Sequence, residues 1–220
     1  MSVEPPPSLW DFPPASVAGR GDVVAAGADL APGTVLAAYR RGLFPMPDGK
    51  GLLWWSPARR GVFEVAGFRP SRSLRRARAS YEIRVNTAFD EVIQGCADPG
   101  RAGGWIDPGI IASYTRLHEL GWVHSVEAWD DAGLAGGLYG VAIGGLFAGE
   151  SMYHRRTGAS KAAVAGLVEL LSDDRAADRV LDVQWLTPHL ASLGATEISR
   201  ADYLRRLQVA LTVPPPAAFG

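Results

Sequence analysis

With 220 residues, 47% of them hydrophobic, and a formal net charge of −1, the chain is long enough to bury a sizeable core and is expected to form one main domain with an appendage. No apolar run approaches the ~18 residues that cross a membrane, and the opening MSVEPPPSLWDFPP lacks the basic and hydrophobic segments of a signal peptide, so a cytoplasmic protein without membrane contact is expected. Cys96 is the single cysteine and the four histidines are scattered without an H-E-x-x-H arrangement, which argues against a disulfide, a thiolate cluster or a zinc site.

In chain order, residues 1–21 and 213–220 are rich in proline and read as extended or disordered ends. PGTVLAAYRRG (32–42) has helical spacing and a glycine stop, and the turn-rich LFPMPDGKGLLWWSPARRG follows, with aromatics among prolines and glycines. Ser71 is a good N-cap for a helix to about Ala79, which sets Arg72, Arg75 and Arg76 on one face. With Arg69, Arg78 and Arg84 against only Glu82, this stretch carries a local charge of about +5, the footprint of a phosphate backbone or of a solvated helix face. A strand over 82–86, a helix near 87–96 and a helix over 108–120 come next. WVHSVEAW, LAGGLYGVAI and LFAGESMY then read as an antiparallel meander, followed by a helix over 160–171, a strand over 179–186, a short helix from Pro188 and a last helix over 200–211. The order predicts an α+β fold: a small N-terminal α/β domain over 22–66 and an acetyltransferase-like (GNAT-type) domain over 67–212.

The chemistry is sparse. There is no G-x-S-x-G elbow, no P-loop and no G-x-G-x-x-G after a strand. The notable polar residues are Asp182 with Gln184 in VLDVQWL, and Glu150 with Ser151. On a continuous strand, residues 182 and 184 share a face. If Asp182 accepts a hydrogen bond from the Gln184 side-chain amide, the amide oxygen becomes a better acceptor for an incoming amine, which suits attack on an activated ester without a covalent intermediate. The plainer reading is that the two residues tie down loops. RRTGAS (155–160) partly matches the loop that cradles pyrophosphate in acetyl-CoA enzymes, which brings acyl transfer to the front and makes an acetyl-CoA-dependent N-acetyltransferase the rival. A catalytically silent RNA-binding module is a second rival.

The segments AYRRGLFP, LLWWSP, SRSL, GWI, LHELGWVHSVEAW, GGLYGVAIGGLFAGESM, ASKAA and DVQWLTPHLASLGATEISRADYL, in that order from about Val23 to Leu207, resemble the leucyl/phenylalanyl-tRNA–protein transferases. The resemblance implies an enzyme that moves Leu, Phe or, less efficiently, Met from aminoacyl-tRNA to the α-amine of proteins beginning with Arg or Lys, marking them for N-degron degradation without metal or cofactor; a monomer is expected. It implies roles for Asp182 and Gln184 in orienting and activating the amine, with Glu150 near the terminal adenosine and the aminoacyl group. By the same resemblance, Leu138, Phe147, Met152 and Val164 line the aminoacyl side-chain pocket, Tyr39 and Trp105 sit at the adenosine end, and Arg72, Arg75 and Arg76 meet the acceptor-stem phosphates. Ala28, Met46 and Val183 depart from the family pattern at positions where a Gly, a Trp and a Cys are usual.

Overall fold

Strand-forming residues gather in two sheets that share no strand. In the computed structural model, which describes residues 2–100 and 104–220, a small antiparallel sheet of order β1-β3-β2 joins β1 (Val23–Ala26), β2 (Phe44–Pro47) and β3 (Leu52–Trp55). Helix α1 (Pro32–Arg40) begins at a proline, whose fixed φ suits a first turn, and buries Val35, Leu36 and Tyr39. The turn-rich aromatic stretch therefore supplies a hairpin: Trp54 is fully buried and donates from Nε1 to the Gly27 carbonyl at 2.8 Å.

The large sheet has the order β10-β4-β9-β8-β7-β6-β5. Its centre is the expected meander, β6 (Val123–Asp130), β7 (Gly133–Ile143) and β8 (Leu146–His154), flanked by β5 (Glu82–Val85). The chain leaves β8, crosses through helix α5 (Ala159–Leu171) and returns as β9 (Val180–Asp182), the one parallel pairing among the described residues. Beyond β9 lie β4 (Arg59–Phe63) and the edge strand β10 (Thr196–Ser199), both antiparallel to their neighbours. A small domain drawn over 22–66 cuts across this arrangement, because β4 belongs to the large sheet. Short strands such as β4 and β10 carry too few alternations to declare themselves in a sequence.

Helices cover both faces. On one, α1, α3 (Phe89–Cys96) and α4 (Pro108–Glu119) pack against Tyr139, Val141 and Ala148; on the other, α5 and α2 (Arg72–Ala79) close over Val126, Leu138, Phe147 and Leu181. Two helices complete the fold, α6 (Pro188–Leu193) and α7 (Arg200–Ala210), each opened by a hydroxyl N-cap: Thr187 accepts from Leu190 N–H and Ser199 from Asp202 N–H.

The proline-rich ends are extended, as their composition requires, yet they are packed rather than disordered. Val3 N–H donates to the Leu120 carbonyl and the Trp122 indole donates back to the Val3 carbonyl, both at 2.8 Å; Glu4 pairs with Arg40, and Phe12 is buried. At the other end the Phe219 ring packs, tilted, 5.2 Å from that of Phe147. Proline lowers the entropy an extended segment loses on docking, so a few side-chain anchors suffice. Gly33 makes the N-terminal contact possible, since a Cβ there would lie 2.0 Å from the Pro6 carbonyl oxygen. Gly33→Ala is therefore expected to lift the strap off α1. Limited proteolysis should then cut within residues 3–11 at least ~10-fold faster than in the wild type, the signature of local opening.

Candidate active site

A pocket opens between α5 and strands β4, β7, β8 and β9, walled by Phe63, Leu138, Met152, Val164, Leu167 and Leu181. Its volume of ≈ 130 Å³ is close to the ~150 Å³ apolar cavity known to admit a benzene ring. Glu150, Ser151, Val183, Gln184 and Leu190 complete the lining. Of the four expected pocket residues, Leu138, Met152 and Val164 line it directly. Phe147 does not; it is fully buried behind the wall, against Phe219 and Leu181.

Glu150 owes its placement to a β-bulge. Tyr139 of β7 pairs with Ser151 while Gly140 pairs with Gly149, so Glu150 is the extra residue on β8. Simple alternation would send Phe147 and Met152 to opposite faces; the bulge returns both to the α5 side and turns Glu150 out at the kink. There Glu150 Oε2 accepts from the Tyr114 hydroxyl at 3.2 Å, and Tyr114 in turn shares a 2.7 Å hydrogen bond with the Tyr39 hydroxyl. Burial pushes the Glu150 carboxyl up to about 8, against the lowering effect of the tyrosine hydrogen bonds. Burial likewise raises both tyrosines well above their ordinary range, so they stay neutral donors. Tyr39 is thus no stacking platform: it is 1% exposed and supports Glu150 from behind through Tyr114. Trp105 is half-buried against the core cluster that contains Tyr39.

The arrangement of Asp182 and Gln184 corrects the strand-face expectation. Strand β9 ends at Asp182, and Gln184 has a left-handed backbone with φ 57°. For a residue with a Cβ this conformation costs about 1–2 kcal/mol, and it persists because both backbone polar groups are held. Gln184 N–H donates to Asp182 Oδ1 at 2.9 Å, and the Gln184 carbonyl accepts from Gly61 N–H at 2.9 Å. Asp182 therefore grips the Gln184 backbone, not its side-chain amide. That amide turns instead to Glu150, with Nε2 donating to Oε1 at 3.4 Å, and leaves the amide oxygen unengaged by it.

Asp182 is fully buried and its charge is met by Arg60, a residue that sequence reasoning passed over. Nε and Nη2 of Arg60 donate to the two carboxylate oxygens at 2.8 and 2.5 Å, and the Tyr203 hydroxyl donates to Oδ2 at 2.9 Å. The Arg60 guanidinium lies 4.2 Å from the centre of the Tyr203 ring and 4.8 Å from that of Phe44, with Nη1 on the Gly42 carbonyl at 3.2 Å. Burial works against its charge and the Asp182 carboxylate outweighs it, so its pKa is raised. Nothing in the spacing of SPARRG separates the buried Arg60 from its exposed neighbour Arg59. Tyr114 and Tyr203 were equally silent, each reading as an ordinary helix residue.

The expected arginine face is present but stands away from this centre. Ser71 caps α2, accepting from Leu74 N–H at 3.3 Å, and Arg72, Arg75 and Arg76 are exposed along the helix.

Two outcomes test this geometry. Arg60→Met leaves the Asp182 carboxylate buried without its partner and should cost about 3–5 kcal/mol in urea unfolding. The raised Glu150 carboxyl favours the protonated form in the folded state, while the unfolded chain ionises from 4.5 upward. Its contribution to stability is complete below 4.5 and is lost as pH rises from 4.5 to about 8. The thermal midpoint of Glu150→Gln, measured relative to wild type, should therefore climb across that window by roughly 2–4 °C per kcal/mol lost.

Comparison with known proteins places the chain in a family. The family model described as leucyl/phenylalanyl-tRNA protein transferase matches residues 62–208, and that of the family's N-terminal domain matches residues 28–58. The gap between the two, residues 59–61, falls within β4, the first strand of the large sheet in chain order. A leucyl/phenylalanyl-tRNA–protein transferase of Azoarcus sp. (strain BH72) is 47% identical over 217 residues, covering 95% of this chain and 92% of the relative. Relatives of the same name from Aromatoleum aromaticum and Syntrophobacter fumaroxidans are 48% and 46% identical over 200 and 202 residues, covering 88% and 89% of this chain and 84% and 86% of their own. The chain belongs to the leucyl/phenylalanyl-tRNA–protein transferase family.

Proposed function

We propose that the chain transfers Leu or Phe, and Met less efficiently, from aminoacyl-tRNA to the α-amine of proteins that begin with Arg or Lys, as a cytoplasmic monomer on an acetyltransferase-like scaffold. The observation that carries this reading is an apolar pocket whose mouth holds an amide engaged by a carboxyl with a pKa raised to about 8. The aminoacyl side chain fills the pocket, and its ester carbonyl lies at the mouth. Leu, Phe and Met each bury their side chains there, whereas shorter side chains forgo ~1–3 kcal/mol.

In the reaction the nitrogen lone pair of the acceptor amine attacks the ester carbonyl carbon, the C–O bond to the ribose breaks, and the proton lost by the amine ends on the ribose oxygen. Gln184 receives the amine: its Nε2 is engaged by Glu150, so its Oε1 accepts the N–H and holds nitrogen in line with the carbonyl. Asp182 acts as a positioning residue, fixing the Gln184 backbone while itself clamped by Arg60 and Tyr203. Glu150 exchanges a proton near neutral pH and so suits a relay between amine and leaving oxygen. Arg72, Arg75 and Arg76 engage the acceptor-stem phosphates, and binding weakens as salt rises. Trp105 is assigned to the adenosine end.

The decisive measurement is single-turnover transfer of radiolabelled Phe from Phe-tRNA to a peptide beginning with Arg. Gln184→Ala should slow transfer by roughly 10²–10³-fold, with tRNA affinity held within ~2-fold. Wild-type transfer by this variant would remove Gln184 from the mechanism. Acetylation of the same peptide by acetyl-CoA in the absence of tRNA would favour the acetyltransferase alternative.

A further inference from the structure

Over most of the surface, arginines are matched by carboxylates, from Arg40 with Glu4 to Arg156 with Asp130 and Arg206 with Glu64. Apart from Arg20 and Lys50, the lysines and arginines without a carboxylate partner among the described residues are Arg69, Arg72, Arg75 and Arg76 at α2, and Lys161 in the first turn of α5. The two helices are neighbours. A Cβ at Gly158, the N-cap of α5, would lie 3.5 Å from Ala77, and the Tyr81 hydroxyl donates to the Thr157 carbonyl at 3.0 Å. The C-terminal end of α2, through Ala77 and the following Tyr81, thus stands beside the N-terminal turn of α5.

That turn leads to the pocket mouth. Lys161 lies one helical turn before Val164, a pocket residue, and long side chains on a helix lean toward its N-terminus. His189 immediately precedes the pocket residue Leu190, and His154 follows the pocket residue Met152 by two positions on β8. Lys161 and His154 sit close enough to His189 that, after burial, their charges hold its imidazole below the ordinary value. Neither histidine has an acidic partner among the described residues. Lys161 is the standing positive charge of this rim, and the His189 imidazole beside it, held below its ordinary pKa, adds a hydrogen-bonding group. The N-terminus of α5, with no side-chain cap, adds partial positive charge on the same side.

We propose that Lys161, with His189 beside it, binds a phosphodiester of the single-stranded 3′ end of the donor RNA, linking the arginine face of α2 to the aminoacyl pocket. The inference rests on the function assigned above and adds a phosphate subsite to it. A cationic rim repels an acceptor that begins with Arg or Lys, so the acceptor enters from another side of the mouth.

Two donors separate the phosphate from the rest of the substrate: Phe-adenosine, which has no phosphate, and the trinucleotide CCA esterified with Phe. In single-turnover transfer to a peptide beginning with Arg, Lys161→Ala should lose ~10-fold more kcat/KM on the trinucleotide than on Phe-adenosine, and the salt slope of trinucleotide binding should fall by about 0.7. His189→Gln should show the same preference to a smaller degree, and Lys161→Arg should restore most of the loss. Equal losses on the two donors, or an unchanged salt slope in Lys161→Ala, would overturn the phosphate site. If the wild-type protein binds the trinucleotide but transfers Phe from neither donor, the functional reading fails instead, and the salt slope alone decides the subsite.

Discussion

The Arg60–Asp182 pair is the constraint on which the rest of the site depends. It joins β4 to β9 across the interior of the large sheet with both partners almost wholly excluded from solvent. Removing two charges from water carries a desolvation penalty of several kcal/mol per ion, and only close geometry with the remaining donors and acceptors satisfied offsets it. That requirement is met in detail. Both carboxylate oxygens accept from the guanidinium fork, Tyr203 adds a third donor, and Gln184 N–H a fourth. A pair so fully satisfied leaves little freedom, and the position of the Gln184 backbone follows from it.

The left-handed turn at Gln184 and the bulge at Glu150 are two local departures from regular strand geometry, and they meet. The bulge lies on β8 and the left-handed turn just past the end of β9, two strands that run side by side in parallel. Regular strands would have delivered alternating side chains to opposite faces; these irregularities bring an amide and a carboxyl together at one pocket mouth. Local strain stored in this way persists only where neighbours over-determine it. Arg60, Tyr203 and Gly61 do so for Gln184, and the pair of tyrosines behind Glu150 does so for the bulge.

Electrostatics divide the surroundings of the pocket into regions of different character. Inside, the walls are aliphatic and aromatic. At the mouth, a carboxyl held near neutral pKa by burial sits against neutral tyrosines. Outside, Arg72, Arg75 and Arg76 on α2 and Lys161 on α5 are without carboxylate partners among the described residues. Charge is placed where an anionic substrate stays in water and excluded where an apolar side chain enters.

Much of this was legible in the residues themselves. The meander, the crossover helix and the caps at Ser71 and Thr187 announce themselves through periodicity and hydroxyl placement, because these are properties of contiguous chain. So do the apolar character of Leu138, Met152 and Val164, and the presence of Asp182, Gln184 and Glu150 as polar residues in apolar strands. What spacing could not give was partnership between distant positions. Arg60 lies 122 residues from Asp182, and in the sequence it is one arginine of two. The bulge that turns Glu150, the end of β9 before Gln184, the burial of Tyr39 and the docking of the proline-rich ends all depend on contacts made only once the sheet has closed. Chain-local physics determined the elements and the residue types available for chemistry; long-range packing and the need to neutralise a buried carboxylate decided which of them meet.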